Sequence, residues 1–207
     1  SPRASRATSM ADARRVVWVS QPLIDAVIEP LRAQVELITT DAVTAWTPEQ
    51  LAERLAGVDG AIITLNERIG AAQLAAAGRL QVIANVGVGY NNLDVDALSA
   101  AGILASNTPD VLTETTADMG FALLMAAARR ITESERWLRD GQWGQWSFQT
   151  MLGADIHGST LGILGMGRIG QGIARRGAHG FGMRVLYHNR SRLPAATEAE
   201  VGAQYAE

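Results

Sequence analysis

Residues 161–170, Leu-Gly-Ile-Leu-Gly-Met-Gly-Arg-Ile-Gly, constrain the fold of this chain more than any other stretch. A short apolar run leads into Gly165-x-Gly167-x-x-Gly170, a helical pattern follows over residues 171–177, and a second apolar run occupies residues 183–187. In a strand–turn–helix of this kind each glycine has a separate task. Gly165 permits the tight turn out of the strand, Gly167 lets the backbone approach a pyrophosphate, and Gly170 lets helix and strand pack closely. The helix that opens at Arg168 and Ile169 then directs free N–H groups and the positive end of its dipole at the phosphates. A bare glycine pattern can arise by accident in a chain with 21 glycines. The flanking strands and helix make this one the start of a βαβ unit, with Gly165, Met166, Gly167, Arg168, Ile169 and Gly170 as the dinucleotide-binding residues.

The end of the second strand indicates which dinucleotide. A site for NAD places Asp or Glu there, on the ribose hydroxyls. This chain instead has Tyr187-His188-Asn189-Arg190-Ser191-Arg192. A carboxylate would repel a 2′-phosphate, whereas Arg190 and Arg192 offer permanently charged planar donors and Asn189 and Ser191 add neutral hydrogen bonds. No Asp or Glu occurs between Asp155 and Glu198, while six arginines fall in that window. Arg175, Arg176 and Arg184 read as a solvated face, and Arg190 as a phosphate ligand. NADP is therefore expected over NAD.

Composition mainly excludes. At 47% hydrophobic and 19% charged residues the chain is an ordinary globular protein. A net charge of −3 gives no sign of nucleic-acid or membrane-surface binding. The absence of cysteine rules out disulfides and thiolate chemistry, and the absence of lysine rules out a Schiff base and a P-loop lysine. No apolar run approaches a membrane span. Residues 1–9 resemble a vector-derived leader before Met10 and are set aside.

Before the glycine turn, short apolar runs at residues 16–19, 35–38, 61–64, 82–86 and 103–105 alternate with helical stretches at 22–32, 48–56, 71–77 and 95–100. Thr47 is placed to cap the second of these helices and Pro48 to occupy its first position. Such alternation implies a parallel sheet covered on both faces, α/β in class. This first unit closes near Asn107-Thr108-Pro109. One long helix is expected over residues 112–139, with a very apolar centre at 119–128, followed by Trp143 and Trp146 in a glycine-interrupted segment suited to packing or a subunit contact.

Asn85-Val86-Gly87-Val88-Gly89-Tyr90-Asn91-Asn92-Leu93-Asp94 lies about 75 residues before the glycine turn. Together with Asn107-Thr108-Pro109 and Leu112-Thr113-Glu114-Thr115-Thr116-Ala117-Asp118, in that order, it resembles the D-isomer-specific 2-hydroxyacid dehydrogenases. The Gly-Met-Gly-Arg-Ile-Gly turn and the His-Asn-Arg-Ser-Arg ending are most similar to the NADP-using glyoxylate and hydroxypyruvate reductase branch. The resemblance runs from Met10 to Glu207. It implies two Rossmann-like domains: a flavodoxin-like substrate domain over residues 10–108, and a dinucleotide-binding domain over 109–207 that is incomplete at its C-terminal end, with only its first βαβ present.

The same resemblance implies that Val86 and Gly87 offer backbone N–H groups to a substrate carboxylate, with Leu65 and Asn66 as weaker candidates for that cleft. The glycines suit this physically, since a glycine loop lets the main chain approach a small acid. Thr116 would lie near the nicotinamide ribose. Reduction of a 2-oxo acid needs a cation to orient the carboxylate, a proton donor and an acidic partner for that donor. In the family these are an arginine, a histidine and a Glu or Asp beyond Glu207, so no catalytic residue is assigned within the chain, and His157, His179 and His188 read as structural. Metal ligands are not expected. The expected enzyme is an NADPH-dependent reductase of small 2-oxo acids, a cytoplasmic homodimer, with these 207 residues alone inactive. The alternative is a non-catalytic nucleotide-binding or corepressor-like protein of the same fold. A phosphoglycerate or formate dehydrogenase is a third possibility, against which Asn189 to Arg192 argue where those enzymes prefer NAD.

Overall fold

The computed structural model describes residues 14–207; the expected leader at residues 1–9 lies outside them. The chain forms two compact units, Ser1–Pro109 and Asp110–Glu207.

In the first unit the strands are β1 (Val16–Val19), β2 (Glu36–Ile38), β3 (Gly60–Thr64), β4 (Val82–Val86) and β5 (Leu104–Ser106). They form one wholly parallel sheet in the order β2-β1-β3-β4-β5, the flavodoxin-like arrangement. The connecting helices are α1 (Asp25–Arg32), α2 (Pro48–Ala56), α3 (Ala71–Leu74) and α4 (Val95–Ala100). α2 forms where its sequence directs it. Thr47 Oγ1 accepts a hydrogen bond from the Gln50 N–H at 3.3 Å, the Thr47 N–H in turn donates to Gln50 Oε1 at 3.0 Å, and Pro48 opens the first turn. Leu51 and Leu55, four residues apart on one face, are thereby buried against Trp18, Ile63 and Ile83. Asp94 caps α4 in the same way through the Ala97 N–H at 2.9 Å.

The second unit begins with helices α5 (Thr113–Ala128) and α6 (Ile131–Arg139), where the sequence suggests a single long helix. The break falls at Arg130, whose φ of 53° places it in the left-handed region. The carbonyl of Ala128 is there taken by the Ala154 N–H at 2.8 Å, and Arg130 reaches Glu133 and the Leu152 carbonyl. A returning segment has replaced the next helical hydrogen bonds, which composition alone does not reveal.

β6 (Thr160–Leu164), β7 (Arg184–His188) and β8 (Ala203–Tyr205) form a parallel sheet in the order β6-β7-β8. α7 (Arg168–Arg175), extended by one π turn over Arg176–Gly180, joins the first pair, and α8 (Ala195–Val201) joins the second. The expectation of a single βαβ is thus corrected to two successive βα crossovers. α8 follows Pro194 and ends at Gly202, whose φ of 66° favours glycine. Val201 and Ala203 on either side of it enter the core with Met166, Val185 and Tyr187. Helices α5 and α7 pack closely because a side chain at Gly172 would meet the Ala117 Cβ at 2.8 Å, and one at Gly120 would meet the Ile173 Cδ1 at 2.9 Å. Among the described residues no strand pairs with the outer side of β6, and no helix is long and apolar enough to cross a membrane.

Candidate functional site

The glycine turn has three different geometric requirements. Gly165 adopts φ of 95°, a conformation side chains disfavour, and its N–H donates to the His188 carbonyl at 3.0 Å. Gly167 caps α7 with nothing within 4 Å of where a Cβ would stand, so the head of the helix is open. A Cβ at Gly170 would sit 2.4 Å from the Gly165 carbonyl oxygen, so strand end and helix touch through backbone. The Gln171 N–H closes the first helical turn on Gly167, and the N–H groups of Arg168, Ile169 and Gly170 precede that bond and have no acceptor within the helix. Open backbone donors and a positive helix end fit the pyrophosphate of a dinucleotide. Met166 is fully buried beneath, its N–H donating to the Asn189 Oδ1 at 2.7 Å. Arg168 is exposed and pairs with Asp110 at 2.9 Å.

At the end of β7 the four candidate residues separate into different roles. Asn189 uses its side-chain oxygen to brace the glycine turn. Arg190 and Ser191 are exposed, and no ion pair of Arg190 is found among the described residues. Arg192 is held differently. Its Nε and Nη2 donate to the two carboxylate oxygens of Glu198 at 2.9 and 2.8 Å, and its guanidinium lies 6.0 Å from the Tyr205 ring centre. The Tyr187 hydroxyl donates to the same carboxylate at 2.7 Å and accepts the Leu193 N–H at 2.8 Å. Hydrogen bonds from Arg192 and then Tyr187 bring the Glu198 carboxyl down to about 2. Burial, followed by the bond to Glu198, pushes the Tyr187 phenol up.

Two further arginines differ from their reading as a solvated face. Arg175 reaches Glu114 at 2.7 Å, and Arg176 reaches Glu114 at 2.9 Å and Asp118, which ties α7 to α5. These bonds, Arg176 foremost, hold the Glu114 carboxyl below its usual range. Arg184 is exposed as expected. Thr116 is exposed on α5 between Glu114 and Asp118; it is Thr115 that bonds back to the helix, through the Leu112 carbonyl at 3.1 Å.

In the first unit the carboxyl ends of β3 and β4 bring Leu65, Asn66, Val86 and Gly87 together. Leu65 and Val86 are half exposed. Gly87 is buried, and a Cβ there would lie 2.5 Å from the Leu65 Cδ2. The space over Gly87 is therefore filled by Leu65 rather than left for a ligand, and the Gly87 N–H turns back to the Asn85 carbonyl at 3.0 Å. The open glycine of this loop is Gly89, with nothing within 4 Å of a Cβ. It borders a hollow of about 250 Å³ with Leu65, Arg68, Asn91 and Asn92. Asn66 is exposed, its N–H 3.3 Å from the Thr64 hydroxyl.

The family model for the D-isomer specific 2-hydroxyacid dehydrogenase catalytic domain matches residues 17–202. The chain belongs to this family. It is 42% identical over 196 residues to the glyoxylate reductase of Thermococcus kodakarensis, covering 93% of this chain and 58% of that protein. A solved structure from Polaromonas sp. JS6 66, of an NAD-binding D-isomer specific 2-hydroxyacid dehydrogenase, is 36% identical, covers 93% of this chain and 60% of its own, and superposes with a TM-score of 0.84. A glyoxylate reductase from Paecilomyes thermophila is 31% identical with a TM-score of 0.74, covering 93% and 60%. The chain thus spans less than two thirds of the length of these 2-hydroxyacid dehydrogenases. The family uses NAD or NADP.

Two groups of this chain escaped the sequence reading. One is Glu198, whose only signal is that it is the first carboxylate after the arginine-rich window. The other is a buried polar set beneath the Leu65 and Gly87 loops. Glu67, Asn85 and Asn92 are each less than a tenth exposed and are joined by hydrogen bonds to one another's loops. The histidines lie apart from both. His157 is exposed, His179 contacts the Glu200 carbonyl at 2.9 Å, and His188 contacts the Ala206 carbonyl at 3.0 Å. Among the described residues no cluster of three potential metal ligands occurs.

Proposed function

We propose that the chain contributes the substrate-binding unit and the opening of the cofactor unit of a reductase that passes hydride between NADP(H) and a small 2-oxo/D-2-hydroxy acid of the glyoxylate and hydroxypyruvate type. The observation that carries the cofactor half is Arg190, exposed at the end of β7 beside the glycine turn, with Asn189 where an NAD site would hold a carboxylate. The 42% identity to a glyoxylate reductase supports the substrate half.

In this reading Gly165, Met166, Gly167 and the N-terminal turn of α7, with Arg168, Ile169 and Gly170, hold the pyrophosphate through backbone donors. Arg190 and Ser191 take the 2′-phosphate, with Asn189 and Arg192 shaping the loop around them, and Thr116 contacts the ribose next to the nicotinamide. When bound, the reduced nicotinamide supplies the hydride. Val86 and the loop at Gly87, with Leu65 and Asn66, form the wall that receives the acid, Gly87 lying beneath Leu65. No described residue is assigned the proton transfer. Trp143, Trp146 and Phe148 are all more than half exposed and, with Met119 and Leu123 on α5, suit the interface of a homodimer. A reduced nucleotide as cofactor favours a cytoplasmic setting.

The test is NADPH and NADH consumption by the gene product with glyoxylate and hydroxypyruvate. Turnover with NADPH favoured by at least about tenfold in kcat/KM is the expected result. A preference for NADH would overturn the cofactor assignment. Tight NADPH binding without turnover of any 2-oxo acid would replace the reductase with the nucleotide-binding reading.

A further inference from the structure

Glu67 has a polar environment unlike that of any other described carboxylate of the first unit. It is 2% exposed, and it forms no ion pair among the described residues. Its Oε1 accepts the Gln21 Nε2 at 2.7 Å. Its Oε2 accepts the Ser20 hydroxyl at 2.9 Å, the Thr64 N–H at 2.7 Å and the Thr64 hydroxyl at 2.9 Å. Four neutral donors thus converge on one carboxylate, three on Oε2 and one on Oε1. Those donors come from the carboxyl ends of two adjacent strands, β1 and β3. Asn92 continues the connection, donating to the Glu67 carbonyl at 3.0 Å, the Thr64 carbonyl at 3.1 Å and Asn85 Oδ1 at 3.1 Å. Asn85, at the end of β4, in turn holds the Gly89 carbonyl at 2.9 Å. One buried network therefore joins three strand ends to the two loops that carry Leu65 and Gly87.

Burying a carboxylate is costly unless every lone pair is satisfied, and an apolar side chain would pack this position at less cost. What the carboxylate adds is a fixed conformation for residues 64–69. That fixes Leu65 over Gly87, and so the shape and depth of the acid-binding loop. We infer that Glu67, relayed by Asn92, is the positioning residue of the substrate loops and sets affinity for the 2-oxo acid without touching it. The inference rests on the reductase reading above.

The experiment compares the gene product as wild type, Glu67→Gln and Ser20→Ala in steady-state kinetics with glyoxylate and NADPH, together with amide hydrogen exchange. Gln keeps the shape but turns an N–H₂ toward donors. It should raise KM for glyoxylate about tenfold or more, because a displaced loop misaligns its ligand. KM for NADPH should stay within about twofold, and exchange at residues 64–69 and 87–92 should quicken. Ser20→Ala removes one donor of four and should shift the same quantities less, which keeps the test decisive if Glu67→Gln does not fold. An unchanged KM for glyoxylate, or both KM values rising in step, overturns the inference. A wild-type protein without 2-oxo acid turnover overturns the reading beneath it instead.

Discussion

Glu67 and Glu198 are both buried carboxylates that pin loops at the carboxyl ends of parallel strands, one in each unit, and they are satisfied in opposite ways. Glu67 is surrounded by hydroxyl, amide and backbone donors, all neutral. Glu198 takes a bidentate guanidinium and a phenol, and its Arg192 partner is 64% exposed. The neutral cage brings no cation to Glu67, and the charged side chain of its loop, Arg68, stands exposed at the hollow that Leu65 and Gly89 border. The charged clamp pairs the positive charge of Arg192 and, among the described residues, leaves Arg190 without an ion pair. The lesson is that a fold can immobilise a loop with a carboxylate while choosing separately what potential the loop shows to a ligand.

The comparison is most exposed to failure in stability. Glu67→Ala strands four donors, those of Ser20 and Gln21 buried, and should cost about 3 kcal/mol, read by urea unfolding followed through tryptophan fluorescence. Glu198→Ala frees Arg192 into water and should cost less than half as much. An equal or greater loss for Glu198→Ala would show that the neutral cage is not the costlier one to break. Next in size is cofactor discrimination. Arg190→Ala should weaken NADPH binding by about 10- to 100-fold and leave NADH binding nearly unchanged, whereas Arg192→Ala, already neutralised by Glu198, should weaken both modestly. Titration of cofactor fluorescence distinguishes them, and equal losses of NADPH affinity would erase the division of labour between the two arginines.

A smaller effect follows from the depressed Glu198 carboxyl. Its folded value of about 2 lies below the ordinary 4.5, so the clamp stabilises fully above about pH 4.5 and loses its contribution as pH falls toward 2. The stability difference between wild type and Glu198→Gln should therefore be constant at neutral pH and shrink across that interval. A gap that stays constant down to pH 2 would mean that the clamp holds no linked proton. The smallest expected change is Thr47→Ala, about 1 kcal/mol, which calibrates an ordinary neutral cap against both clusters on the same unfolding curves.

The strands of the first unit and helix α2 were legible because period, cap and proline agree locally, as Thr47, Pro48, Leu51 and Leu55 do. The glycine turn was legible because three residues must each lack a side chain for separate reasons. The break at Arg130 was not, because an arginine in the left-handed region carries no local signal and the hydrogen bond that replaces the helix comes from Ala154. α8 and β8 were missed although Pro194 and Gly202 bracket the helix, since the helix between them is only seven residues long and offers Val201 as its one large apolar side chain. Glu67, Asn92 and Glu198 look like surface residues in a linear reading. Only the sheet order brings Ser20, Thr64 and Asn85 around the first network.

The packing of Leu65 onto Gly87 has an evolutionary consequence. With 2.5 Å between the missing Cβ and the Leu65 methyl, the two positions are coupled in one direction: a side chain at 87 must push the half-exposed Leu65 aside, whereas residue 65 can shrink alone. A lineage or an engineer seeking to widen this loop gains room directly by shrinking residue 65, whereas a change at 87 first only displaces Leu65.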